Sequence, residues 1–110
     1  MATLLQEMAQ EKVRQLEGER ERLVAALRQE ITALLAPGEI VFVYGSITQP
    51  GRFADTSDLD LALVRRPPAF SEFWLQGELE MRLGRRVDVV LLGETRLREK
   101  IESEGWRWTL

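Results

Sequence analysis

The chain has 110 residues, enough for one domain with a sizeable core and too few for a catalytic domain joined to a separate substrate domain. It contains no histidine and no cysteine, which excludes disulfides, zinc–thiolate centres and Ser-His-Asp chemistry and leaves oxygen ligands for any divalent ion, a set that suits magnesium or manganese. The net charge of −3 gives no basic footprint for long nucleic acid. Glu7 and Glu11 interrupt the N-terminal apolar residues and no apolar run is long enough to span a bilayer, so a soluble, cytoplasmic protein without a membrane partner is expected.

Leu4 to Leu35 carry a helical period, clearest in Leu23, Val24, Leu27, Ile31, Leu34 and Leu35, with charges on the other face. The stripe lapses over Gly18-Glu19-Arg20-Glu21-Arg22, where glycine costs about 1 kcal/mol relative to alanine. One long helix, or two with a bend there, is predicted, and its exposed length is either a simple packing element or an interface for an oligomer. Pro37-Gly38 stops it. Glu39 to Tyr44 is a β-branched and aromatic run of strand length, Gly45 and Ser46 stand at its end, and Thr48 to Thr56 forms an irregular loop around Pro50-Gly51.

Ser57 to Val64 predicts a second strand with Asp58, Asp60 and Ala62 on one face and Leu59, Leu61 and Leu63 on the other. Arg65-Arg66-Pro67-Pro68 breaks it. Phe70 to Leu83 reads as a helix with Phe73, Trp74, Leu75, Leu79 and Leu83 toward the core and Gly84 as its C-cap. Val87 to Leu92 is a third strand carrying Asp88, Glu94 to Glu104 a charged helix with Leu97 and Ile101 inward, and Trp106 to Leu110 a short edge strand. The expected fold is α/β (α+β): a small mixed sheet with helices mainly on one face, preceded by a long N-terminal helix. Residues 1–110 form one domain, with 1–36 helical and 37–110 the core.

Chemistry concentrates in Gly45-Ser46, Asp58-Leu59-Asp60 and Asp88. Two carboxylates about 4 Å apart repel by about 4 kcal/mol at an effective dielectric of about 20, so acids converging on one point call for a cation or a proton. Asp58, Asp60 and Asp88 are therefore the candidate catalytic and metal-holding residues, with Asp88 also able to take a nucleophile's proton. Asp-x-Asp alone is more often a solvated turn or cap feature than a metal site. The ordered combination with Gly45-Ser46 and Asp88 favours metal-dependent nucleotidyl transfer, involving two magnesium ions, with manganese an alternative. Gly45 and Ser46 are expected to cradle phosphate at a strand-to-helix turn, and Arg52 is the nearest loop cation to a triphosphate. Asp55, Arg65 and Arg66 read as solvated turn and loop residues.

This joint pattern, from about Ile40 to Leu92, resembles the DNA polymerase β-like nucleotidyltransferase superfamily and most of all its minimal nucleotidyltransferases. The resemblance implies a nucleotidyltransferase-like fold, magnesium on Asp58, Asp60 and Asp88, and ATP at Gly45-Ser46. It also implies a small helical HEPN toxin as partner, with AMP passed from ATP to one of its tyrosines and this chain as antitoxin. The loop Ile47-Thr48-Gln49-Pro50-Gly51-Arg52 departs from the family, which often carries an arginine two positions after the serine. Two other readings stand beside it: transfer to a small-molecule hydroxyl, and a non-catalytic module that neutralises its partner by covering it.

Overall fold

The computed structural model describes residue 1 and residues 3–110. Helix α1 (Leu4–Leu34) opens with Thr3, whose hydroxyl accepts from the Gln6 N–H at 3.1 Å while the Gln6 side chain accepts from the Thr3 N–H at 2.8 Å. This capping box satisfies two of the donors that a helix start leaves unpaired. The helix runs uninterrupted through Gly18, so the alternative of two helices is set aside. Residues 3–15 are all exposed, and the molecule measures 57 × 28 × 21 Å. No described helix is long and apolar enough to cross a membrane.

After Gly38, which turns the chain at φ +89°, come β1 (Ile40–Tyr44), a 3-10 turn (Gly45–Thr48), β2 (Leu59–Leu63), α2 (Glu72–Leu83), β3 (Val87–Leu91), α3 (Arg98–Glu104) and β4 (Trp106–Thr109). The strands form one mixed sheet in the order β3-β2-β1-β4, with β1 antiparallel to both β2 and β4 and β2 parallel to β3. The β-branched and leucine-rich strand sequences explain the core. Leu59, Leu61, Leu63, Val87 and Val89 all point to the face covered by Leu27 and Ile31 of α1 and Leu75 and Leu79 of α2. Burying each such side chain contributes about 1.5–3 kcal/mol. Arg82 of α2 ties the two helices by pairing with Glu30 at 2.9 Å. On the opposite face α3 sets Ile101 against Phe42, Ala62 and Leu92.

The strand β3 ends the sheet on one side. Its outward Val87 and Val89 N–H groups donate to Glu80 Oε2 (3.3 Å) and Gln76 Oε1 (3.0 Å) of α2. Three expectations need correction. Phe73 and Trp74 are 74% and 47% exposed; Leu75 and Leu79 are buried and Leu83 packs on the core as expected, the inward stripe is extended by Glu72, covered and paired to Arg66 at 2.9 Å, and Trp74 packs on Phe70. Residues before Arg98 form turns, so α3 is shorter than 94–104, and Leu97 is largely exposed. Gly84 caps α2 as expected, in the left-handed conformation at φ +62°.

Candidate functional site

Strand pairing builds the site. Tyr44 on β1 stands opposite Asp60 on β2, and Asp60 stands opposite Asp88 on β3. Because side chains alternate along a strand, the neighbours of the acids, Leu59, Leu61, Val87 and Val89, enter the core under α1 and α2, while Tyr44, Asp60 and Asp88 line a cavity of about 270 Å³ on the α3 side. Leu97, Lys100 and Ile101 supply the opposite wall.

Gly45 makes the close approach at the end of β1. It turns at φ +81°, and a Cβ there would lie 2.3 Å from the Asp60 Oδ2 atom, so no other residue fits without moving that carboxylate. In place of the expected helix N-terminus, the chain makes a single 3-10 turn, closed by the Thr48 hydroxyl donating to the Gly45 carbonyl at 2.8 Å. A single 3-10 turn offers a phosphate the local backbone amides but not the summed dipole of a long helix. Arg20 of α1 donates to the Ile47 carbonyl at 2.7 Å, its guanidinium steadied by Glu17. The polar lapse in the helix stripe is thus the tether of the Gly-Ser turn.

The acids repel one another. Burial first, then Asp88 and Asp58, pushes the Asp60 carboxyl up to about 6. Burial, then Asp60 and Asp88, pushes the Tyr44 hydroxyl up to about 12. Asp58 precedes the strand and is part-exposed, with Oδ1 3.9 Å from Arg86 Nε. It lines a separate recess with Ser57 and Arg85, and Arg85 pins the preceding loop by donating to the Ala54 and Ser57 carbonyls at 3.1 and 2.7 Å. Among the described residues no three acidic side chains approach closely enough to enclose a metal ion. Asp60 and Asp88, an all-oxygen pair aimed into one cavity beside the glycine cradle, fit a hard divalent cation; Asp58, facing Arg86, completes the set only if it leaves that guanidinium.

Of the other candidates, Ser46 lies in the turn, where its carbonyl accepts from the Gln49 N–H at 3.0 Å, and Thr48 and Gln49 line the cavity in its stead. Arg52 is exposed and does not line the cavity. Two residues that sequence reasoning missed contribute here. Arg20 was detectable as a polar residue on the inward spacing Leu16, Arg20, Leu23, Leu27. Lys100 had no local signal, since its position depends on how α3 crosses the sheet.

No protein-family model and no curated protein sequence matches the chain. Among solved structures, it is similar to a chain of a toxin–antitoxin complex with AMP-PNP, at 22% identity and TM-score 0.57, covering 83% of this chain and 73% of that one. It is similar also to a chain of a mutant of the toxin–antitoxin pair MntA–HpeT with two Asp→Glu changes two positions apart, at 18% identity and TM-score 0.51, with coverage of 83% and 73%. A third likeness is to a structure provisionally named a minimal nucleotidyltransferase, at 27% identity and TM-score 0.48, covering 86% and 93%. The first two establish the fold that the mixed sheet and its helices suggest.

Proposed function

Proceeding from a fold shared with toxin–antitoxin proteins, we propose that this chain is a magnesium-dependent nucleotidyltransferase that moves AMP from ATP to a hydroxyl of a small helical partner and thereby acts as an antitoxin. The observation that carries this reading is the row of Asp60 and Asp88 side by side, with the cramped Gly45 against them, in one cavity. A neighbour in complex with AMP-PNP, and another altered at the same Asp-x-Asp spacing as Asp58 and Asp60, support it.

Asp60 and Asp88, with Asp58 if it turned from Arg86, would hold a divalent metal, which would supply charge neutralisation at the triphosphate and a lowered pKa for the attacking hydroxyl. Gly45 lets the turn backbone approach a phosphate oxygen. The acceptor oxygen bonds to the α-phosphorus as the bond to the pyrophosphate oxygen breaks, pyrophosphate leaves with the electron pair, and Asp88 takes the acceptor's proton. A tyrosine on a HEPN-type toxin suits this role, because a cavity roofed by a seven-residue helix leaves the partner to bring its own surface.

The test is transfer of label from α-phosphate-labelled ATP, with magnesium, to a helical protein encoded beside this chain, comparing wild type with Asp60→Asn and Asp88→Asn. Label on the partner from wild type alone is expected. A specific observation favours a second reading, that of a non-catalytic cover: the three acids do not form a closed group, and Asp58 lies in a separate recess, 3.9 Å from Arg86. A stable, neutralising complex without label, unchanged by both substitutions, selects that reading.

A further inference from the structure

Among its walls the cavity counts three carboxylates, Asp60, Asp88 and Glu104, and a single cation, Lys100. The loop after Gly45-Ser46 sends no cation into it, as Arg52 lies outside. Elsewhere several basic side chains pair with acids: Arg66 with Glu72, Arg82 with Glu30 and, on α3 itself, Arg98 with Glu102 at 3.0 Å. Lys100 has Glu104 at the same four-residue spacing, yet among the described residues no carboxylate pairs with it. Ile101, next in the chain, is buried against Phe42 and Ala62, which sets the rotation of α3 and leaves the exposed Lys100 on the wall of the cavity that Asp60 and Asp88 also line.

We propose that Lys100 binds the phosphate chain of the nucleotide, reaching it from the wall opposite Gly45. The inference rests on the nucleotidyltransferase reading and assigns to α3 a role that the departing loop does not fill. A lysine ammonium is a compact point charge on a flexible stem, suited to a phosphate chain whose position is set by other groups. Hydrogen bonds between an ammonium and phosphate oxygens are of the stronger, charge-assisted kind.

Titration calorimetry of ATP with magnesium on wild type, Lys100→Met, Lys100→Arg and the charge-matched control Arg98→Met tests it, with AMP as second ligand and thermal melting to confirm folding. Expected are a loss of about 10- to 100-fold in ATP affinity for Lys100→Met, a few-fold for Lys100→Arg and none for Arg98→Met. The preference of wild type for ATP over AMP should shrink in Lys100→Met, a change that a merely structural lysine would not produce. Wild-type affinity and ATP preference in folded Lys100→Met overturn the inference while leaving the nucleotidyltransferase reading intact. Absence of ATP binding by wild type overturns both.

Discussion

The two faces of the sheet are made from the same short strands and behave as opposites. Toward α1 and α2, Leu59, Leu61, Leu63, Val87 and Val89 are all but fully buried in one continuous apolar cluster. Toward α3 the residues between them are Asp60, Ala62, Asp88 and Val90, covered by one helix of seven residues. The first face holds the fold together. The second accepts mutual repulsion among acids, an arrangement tolerable only because the first is so well packed. A slip of one residue in register would exchange the two.

The largest expected effect comes from weakening the packed face. Leu61→Ala removes a fully buried side chain from a central strand and should cost about 2–5 kcal/mol, read as a lower urea midpoint. A cost below about 1 kcal/mol would mean that this face is not the foundation. Next is Gly45→Ala, at φ +81° and 2.3 Å from the Asp60 carboxylate, expected to cost about 1–3 kcal/mol. Much of that should vanish in an Asp60→Ala background; an unchanged cost there would show that backbone strain, and not the carboxylate, forbids the side chain.

Asp60→Asn should act in the opposite direction. The unfolded carboxyl ionises near 3.8 while the folded one keeps its proton to about 6, so without metal, its contribution to stability is greatest below that window and falls as pH rises through it. The shift implies about 3 kcal/mol, and half exposure of the group reduces the expected gain at neutral pH to about 1–2 kcal/mol. Melting curves against pH give the answer: a wild type whose stability is flat from pH 4 to 7 relative to Asp60→Asn sinks the claim. The smallest effect is that of Phe73→Ser, within about 0.5 kcal/mol, because the ring is 74% exposed; a strongly destabilised variant would reveal packing on α2 that its exposure denies.

The legible parts of the molecule are those encoded in local period. The alternation from Asp58 to Leu63 by itself separates acids from core, and the break at Pro37-Gly38 and the cap at Gly84 are readable from residue type. The aromatic pair on α2 misleads because hydrophobicity alone suggests burial. The stripe is filled instead at one end by Glu72, an acid made buriable by Arg66 from outside the helix. At the site, Asp60 and Asp88 meet as their strands imply. The turning of Asp58 toward Arg86 and the entry of Lys100 depend on contacts between elements distant in sequence, which no local pattern encodes.

The side chains of Gln76 and Glu80, by occupying the outward amides of β3, also settle how company can be kept. An edge strand with free amides invites another strand to extend the sheet, by partner docking or by runaway stacking of copies. Here two of the outward amides on that side of the sheet are already taken by its own helix. Strand addition there would find fewer free amides, and crowding of newly made copies meets a blunted margin where a fibril would otherwise begin.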